Sequence, residues 1–192
     1  MKEYTIVELK KEEWEMVPIP MRYTTNEYYD VQKIKEADGL IIRLVKRPFD
    51  EPVTHGPEEY DFPDKLFEPH WENAKAWGIV EETEGKKELK ACIEICPEEW
   101  SNRMLVTELW VHEDYRHRRI AHKLMSIAIN QAKEQKRRAL ILETQSCNVP
   151  AISFYLREGF ELVGFDTCCY RNNDIERKEV RFNLGMFFSY EQ

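Results

Sequence analysis

Three arginines, Arg116, Arg118 and Arg119, crowd into four residues of a charged loop that runs from His112 to Arg119. The loop follows a segment rich in β-formers, Met104 to Val111, and precedes a helical pattern that starts at Ile120. A helix N-terminus points unbonded N–H groups outward, and its dipole favours an anion there. Fixed positive charge at that spot fits a phosphate or pyrophosphate; it also fits a plain basic loop. No G-x-x-x-x-G-K-S/T run and no G-x-G-x-x-G run occurs, which excludes a P-loop and a dinucleotide fingerprint.

Metal and thiol chemistry have weaker support. Cys92 and Cys96 lie four apart on an expected strand, with no C-x-x-C partner and no paired His cluster, so no zinc site is expected. Cys168-Cys169 reads as a structural pair of thiols, and five Cys without an exported context read as free. His112, His117 and His122 are five apart, which is not helical ligand spacing.

The elements that must position the basic loop are clear in the second half of the chain. Ile120, Ala121, Leu124, Met125, Ala128 and Ala132 share one helical face, and the helix should end near Lys136. Ala139 to Leu142 begins a strand. Asn148 caps a short helix that tolerates Pro150 in its first turn and stops at Gly159. Phe160 to Phe165 and Val180 to Phe188 read as further strands. The sum is an α/β core, βαβαβ with a mixed sheet.

The first hundred residues give less. Tyr4 to Leu9 alternates as a short strand, Glu27 to Glu36 suggests a helix ended by Gly39, and Leu40 to Lys46 suggests a strand stopped by Arg47-Pro48. Residues 48–70 hold five prolines among many acids and read as a loop. Trp77 to Val80 and Leu89 to Ile95 should pair across a turn at Glu84 to Lys87.

Length and charge narrow the classes. The 192 residues suit one domain. No apolar run approaches a membrane span, and the N-terminus lacks a signal core, so a cytoplasmic protein is expected. The net charge is −8: residues 1–100 hold 24 acids against 14 bases, residues 101–192 hold 12 against 14. An acidic chain is poorly suited to general nucleic-acid binding. A local basic patch on an acidic body suits a small polyanion, whereas Lys133 to Arg138 reads as a solvated helix surface.

The residues Val111 to Leu124 resemble the acetyl-CoA signature of the GNAT N-acetyltransferase superfamily, Q/R-x-x-G-x-G/A set between a strand and a helix. Arg116 matches its first position and Ala121 its last. Arg119 stands in the usual glycine slot, where a helical backbone would have no need of glycine. Asn148, Ala151, Phe154-Tyr155 and Gly159-Phe160 resemble the second signature, N-x-x-A-x-x-F-Y-x-x-x-G-F. Together the two cover residues 74–170. Leu142-Glu143-Thr144-Gln145, the Asn148 helix, Asp166-Thr167, Tyr170 and the acid Glu108 resemble, more narrowly, bacterial streptothricin acetyltransferases.

The resemblance implies a single GNAT domain over 1–192, with a variable acceptor-side part at 1–73, a core at 74–170 and a C-terminal strand region at 171–192. It implies transfer of an acetyl group from acetyl-CoA, without a metal, to a primary amine of a small molecule such as a streptothricin-type antibiotic. No nucleic-acid or membrane partner is expected, and a homodimer is allowed. The backbone of Leu109, Trp110 and Val111 would bond pantetheine. Arg116, His117, Arg118, Arg119, Ile120 and Ala121 would hold the pyrophosphate. Asn148 would bond the pantetheine side, and Tyr155, near the sulfur, would protonate the leaving thiolate. Glu108 would be the base, its carboxyl raised by partial burial and its side chain on the face of Val106 and Trp110. An ion-pair role for Glu108, a packing role for Tyr155 and simple capping by Asn148 stay open. Glu143 and Asp166 would attract the cationic acceptor, and the 48–70 loop could close over it. A protein or peptide N-acetyltransferase, and a degenerate CoA-binding module without catalysis, are the alternatives.

Overall fold

The structure is a computed structural model describing residues 4–59 and 63–190. In chain order the strands are β1 (Val7–Leu9), β2 (Tyr23–Glu36), β3 (Gly39–His55), β4 (Lys75–Thr83), β5 (Lys86–Glu98), β6 (Arg103–Val111), β7 (Ala139–Gln145), β8 (Glu161–Asp166) and β9 (Arg181–Phe187). The helices are α1 (Lys11–Trp14), α2 (Ile120–Glu134), α3 (Val149–Arg157) and α4 (Asp174–Arg177). The chain divides into two compact units. One comprises Met1–Met21, Tyr60–Leu142 and Met186–Gln192; the other comprises Arg22–Glu59 and Glu143–Gly185.

The first unit is a mixed sheet with α2 packed on β5 and β6. β1, β4, β5 and β6 run antiparallel to their neighbours, and β7 joins β6 in parallel. β5 is buried on both faces, which explains its nearly unbroken apolar run from Ala91 to Cys96. Ile93, Ile95, Met104, Leu124, Met125 and Leu140 are fully buried and form the core beneath α2. A second cluster gathers Leu9, Trp14, Leu66, Phe67, Cys92 and Trp110. The β4–β5 turn is the expected one: Glu84 (φ 53°) and Gly85 (φ 77°) are both left-handed, as a two-residue hairpin turn matching strand twist requires.

The second unit departs from expectation at its start. Glu27 to Glu36 is strand, not helix, and pairs antiparallel with β3 from Glu27–Pro48 to Glu36–Gly39. Tyr28, Tyr29, Val31 and Ile34 favour the pleat, and Tyr29 is held there by its N–H on the Ser146 carbonyl (2.9 Å) and by its ring against Phe182 (6.0 Å between centroids). Nor does Pro48 stop β3, which continues to His55. The register jumps from Thr25–Val53 to Glu27–Pro48, and Pro52 falls in the irregular stretch, where no ladder N–H is demanded of it.

The expected 48–70 loop is therefore short. Part of it is β3, Pro57–Glu59 is a 3-10 turn, and residues 60–62 lie outside the described residues. Asp64 to Leu66 is tied down in the first unit, with Ile19 N–H on the Asp64 carbonyl and Leu66 N–H on the Val17 carbonyl (2.8 and 3.0 Å). The second half of the chain follows the sequence reading. Asn148 caps α3 by accepting from Ala151 N–H at 3.3 Å, and Gly159 (φ 96°) ends it. β8 and β9 pair antiparallel, and all five cysteines are free. Among the described residues no helix is long and apolar enough to cross a membrane.

Candidate active site

The parallel pairing of β6 with β7 covers Arg103–Val106 against Ala139–Leu142. β6 continues to Val111, and its end pairs with β5 alone, Ala91–Val111 to Ile93–Leu109. Among the described residues no strand pairs with the other side of β6 at Leu109 to Val111, although the Val111 carbonyl is already taken by Arg116 Nε. A second irregularity sits just before them. Glu94 pairs with Glu108 and Ile95 with Val106, so Thr107 is the extra residue of a β-bulge. The bulge breaks the simple alternation that the sequence reading used to place Glu108 on the face of Val106.

Thr107 turns its hydroxyl to the Glu94 carboxylate (2.8 Å). Glu94 is completely buried and also accepts from the Phe67 N–H at 2.6 Å. Burial pushes its carboxyl above the usual range, against these two donors, which lower it. The sequence reading passed over Glu94, although a single charge within Ala91-Cys92-Ile93-Glu94-Ile95-Cys96 was the signal available. Glu108 is half-buried, and together with Glu94 it adds to the burial that raises the Cys92 thiol.

After Val111 the chain makes a 3-10 turn, Glu113–Tyr115, whose start is capped by His112 Nδ1 accepting from Asp114 N–H. Tyr115 is buried and donates its hydroxyl to Glu81, which raises the phenol's pKa. Arg116 Nε donates to the Val111 carbonyl at 3.1 Å, and the Arg118 guanidinium lies 5.2 Å from the Tyr115 ring centroid. Both arginines therefore spend part of their capacity shaping the loop itself. His117 (φ 60°) and Arg119 (φ 59°) are left-handed. The expectation that a helical backbone frees the glycine slot is thus wrong: Arg119 adopts the conformation glycine favours, at a steric cost of about 1–2 kcal/mol. α2 then starts, its first helical bond running from Lys123 N–H to the Arg119 carbonyl. The N–H groups of the preceding turn, at Ile120 and Ala121, have no carbonyl of the helix to reach.

In the second unit, Asn148 and Tyr155 sit at the cap and the second turn of α3. Tyr155 is buried, its ring 5.4 Å from that of Phe154 and 6.0 Å from that of Phe160. Glu143 and Asp166 come together, but around an internal cation. Glu143 pairs with Arg181 at 3.1 Å, and both acids bear on that guanidinium. Asp166 also accepts from Cys168 N–H (2.9 Å), which draws its carboxyl below the usual range. His55, Glu59 and Glu179 converge as well, with His55 Nδ1 3.1 Å from Glu59 and Glu179 held by Arg177. His55 and Glu59 are four apart in sequence, but nothing in the sequence brings Glu179 to them.

A family model for the acetyltransferase (GNAT) family matches residues 40–160. The chain is 36 % identical over 73 residues to streptothricin acetyltransferase A of Bacillus subtilis strain 168, covering 38 % of this chain and 42 % of that one. It is 30 % identical over 110 residues to a streptothricin acetyltransferase of Escherichia coli, covering 57 % of each. The alignments thus span about half the length of these relatives. Among solved structures, nourseothricin acetyltransferase superposes with a TM-score of 0.71 at 24 % identity, over 96 % of this chain and 98 % of that one. A Bacillus anthracis strain Ames protein assigned as a streptothricin acetyltransferase, solved with acetyl coenzyme A, gives 0.72 at 21 %, over 98 % and 100 %. At these identities the superpositions speak for the fold. With the family model matched over most of the core, from β3 to the end of α3, the chain belongs to the GNAT acetyltransferase family.

Proposed function

We propose that this protein transfers an acetyl group from acetyl-CoA to a primary amine of a small cationic molecule of the streptothricin class. The observation that carries the reading is the pairing of two features: a β6 end with a strand partner on one side only among the described residues, and a left-handed, arginine-bearing entry into α2. The first suits an extended amide-bearing chain such as pantetheine, added like a further strand. The second suits its pyrophosphate. The relatives named streptothricin acetyltransferase support the acceptor class, and the chain's net charge of −8 favours approach of a polycation.

In this reading Leu109, Trp110 and Val111 bond the pantetheine arm, and the N–H groups from Arg116 to Ala121 hold the phosphates. Asn148 can serve pantetheine through its amide nitrogen, because its oxygen is the atom that caps α3. Glu108 takes a proton from the ammonium of the acceptor, through a water. The freed amine attacks the thioester carbonyl, the C–S bond breaks, and Tyr155 gives its proton to the leaving thiolate. The extra proton still on the new amide nitrogen is released through water and restores the phenol. Glu143 and Asp166 contribute a weaker attraction than free acids would, because Arg181 offsets their charge.

Calorimetry with CoA followed by an acetyl-transfer screen of streptothricin, polyamines, aminoglycosides and peptides tests the reading. Saturable CoA binding and turnover of streptothricin are expected. CoA binding with turnover of peptides alone would move the acceptor to a protein, and no binding at millimolar CoA would leave a non-catalytic module.

A further inference from the structure

Tyr4 belongs to the first unit and lies far from the signature loop in sequence, yet its hydroxyl touches that loop once and the first turn of α2 once. It accepts from Lys123 Nζ at 2.9 Å and donates to the Arg118 carbonyl at 3.5 Å. The Lys123 ammonium also lies 4.9 Å from the Tyr4 ring centroid. A tyrosine hydroxyl has one proton to give and lone pairs to accept with, so both bonds form together. Arg118 is the residue between the two left-handed ones, His117 and Arg119.

The peptide geometry gives this contact a consequence. In a trans peptide the carbonyl of one residue and the N–H of the next point in opposite directions. No peptide bond among the described residues is cis. Fixing the Arg118 carbonyl toward Tyr4 therefore turns the Arg119 N–H to the opposite side of the loop. The αL strain at Arg119 needs such an external hold, since strained backbone persists only where its surroundings over-determine it.

We infer that Tyr4 is a positioning residue for phosphate binding: it clamps the carbonyl side of the Arg118–Arg119 peptide so that the amide side is presented, already oriented, to the pyrophosphate of acetyl-CoA. This rests on the acetyl-CoA reading above. The clamp acts on cofactor affinity and leaves the reacting atoms untouched. It also explains how an arginine serves in the glycine slot, because the conformation is imposed from Tyr4 and Lys123 rather than supplied by a permissive residue.

The test compares the full chain with its Tyr4→Phe variant, which keeps the ring beside Lys123 and removes the hydroxyl. Calorimetry should show the Kd for CoA rising about three- to tenfold, the range for one lost hydrogen bond. The KM for acetyl-CoA should rise by the same factor, with kcat and the KM for the acceptor amine unchanged. The Arg119 amide in a 15N spectrum should shift less on adding CoA than it does in the parent protein. The melting temperature without ligand should fall by only about 2–4 °C, because one of the two lost hydrogen bonds is exposed and the other half-buried. Equal CoA affinities in the two proteins, or a loss confined to kcat, would overturn the inference alone. Failure of the parent protein to bind CoA would overturn the reading beneath it and the inference with it.

Discussion

Glu94 on β5 and Thr107 on β6 are joined at 2.8 Å across the bulge that directly precedes Glu108, and the same Glu94 carboxylate holds the Phe67 N–H at 2.6 Å. One buried acid thus fixes both the extra residue of β6 and a left-handed turn (Phe67, φ 53°).

The raised carboxyl of Glu94 makes stability depend on pH in a definite direction. An acid whose pKa is higher folded than unfolded binds more protons in the native state between those two values. Stability therefore falls as pH rises from the ordinary glutamate range through the raised value. Glu94→Gln loses an acceptor for one of its two donors and should cost about 1–3 kcal/mol near pH 5. Its deficit should shrink toward pH 8, where the parent carries the cost of a buried charge. Denaturant melts at several pH values check this, and parallel curves would show that Glu94 does not titrate differently on folding.

Tyr155→Phe should lower kcat by about 10²–10⁴-fold, the usual span of general acid catalysis, with little change in acetyl-CoA affinity. The ring keeps its place between Phe154 and Phe160, so folding should be spared. A thioester with a more acidic thiol should recover part of the rate. Near-full turnover with chemistry rate-limiting would assign the phenol a packing role.

For Glu108→Gln the expected signature is a pH profile. The defect in kcat/KM should be largest near neutrality and shrink as pH rises toward the acceptor's own pKa, where the amine deprotonates unaided. A defect of constant size between pH 6.5 and about 9.5 would place Glu108 in binding rather than in proton transfer.

Arg119 provides a conformational test. Arg119→Gly relieves the left-handed strain but gives the unfolded chain more freedom, so stability should rise by about 0–1 kcal/mol. Arg119→Val places a β-branched residue at φ near 60° and should lose about 1–2 kcal/mol. Thermal melts of the two variants should therefore bracket the parent.

The sequence was most legible where one periodicity ruled. Ile120 to Ala132 kept a single helical face, and the α3 region carried its own cap and stop, so the loop, α2, α3 and their strands were placed nearly residue for residue. The β2 segment misled because its charges, Glu27, Asp30, Lys33 and Glu36, recur every three residues like a helix face. The pairing with β3 that decides the matter is formed across the turn and supplied by other residues. Arg119 misled for a related reason: the carbonyl of the residue before it is bonded by Tyr4, more than a hundred residues away in sequence. Glu94 was invisible as a site because its partners come from a turn 27 residues earlier and from the next strand.

The far end of the β2–β3 hairpin carries one more consequence. Beyond Val31, which is buried, the ladder from Lys33–Ile42 to Glu36–Gly39 consists of two strands only, with Ile34, Leu40 and Ile41 exposed. A two-stranded ribbon is marginal in water, so this tip should open without the rest of the protein unfolding. Its amides would be the first in the strands to exchange with deuterium. A protease nick at Ala37-Asp38 would cut the chain while leaving the β5–β6 core and the loop before α2 with all their bonds.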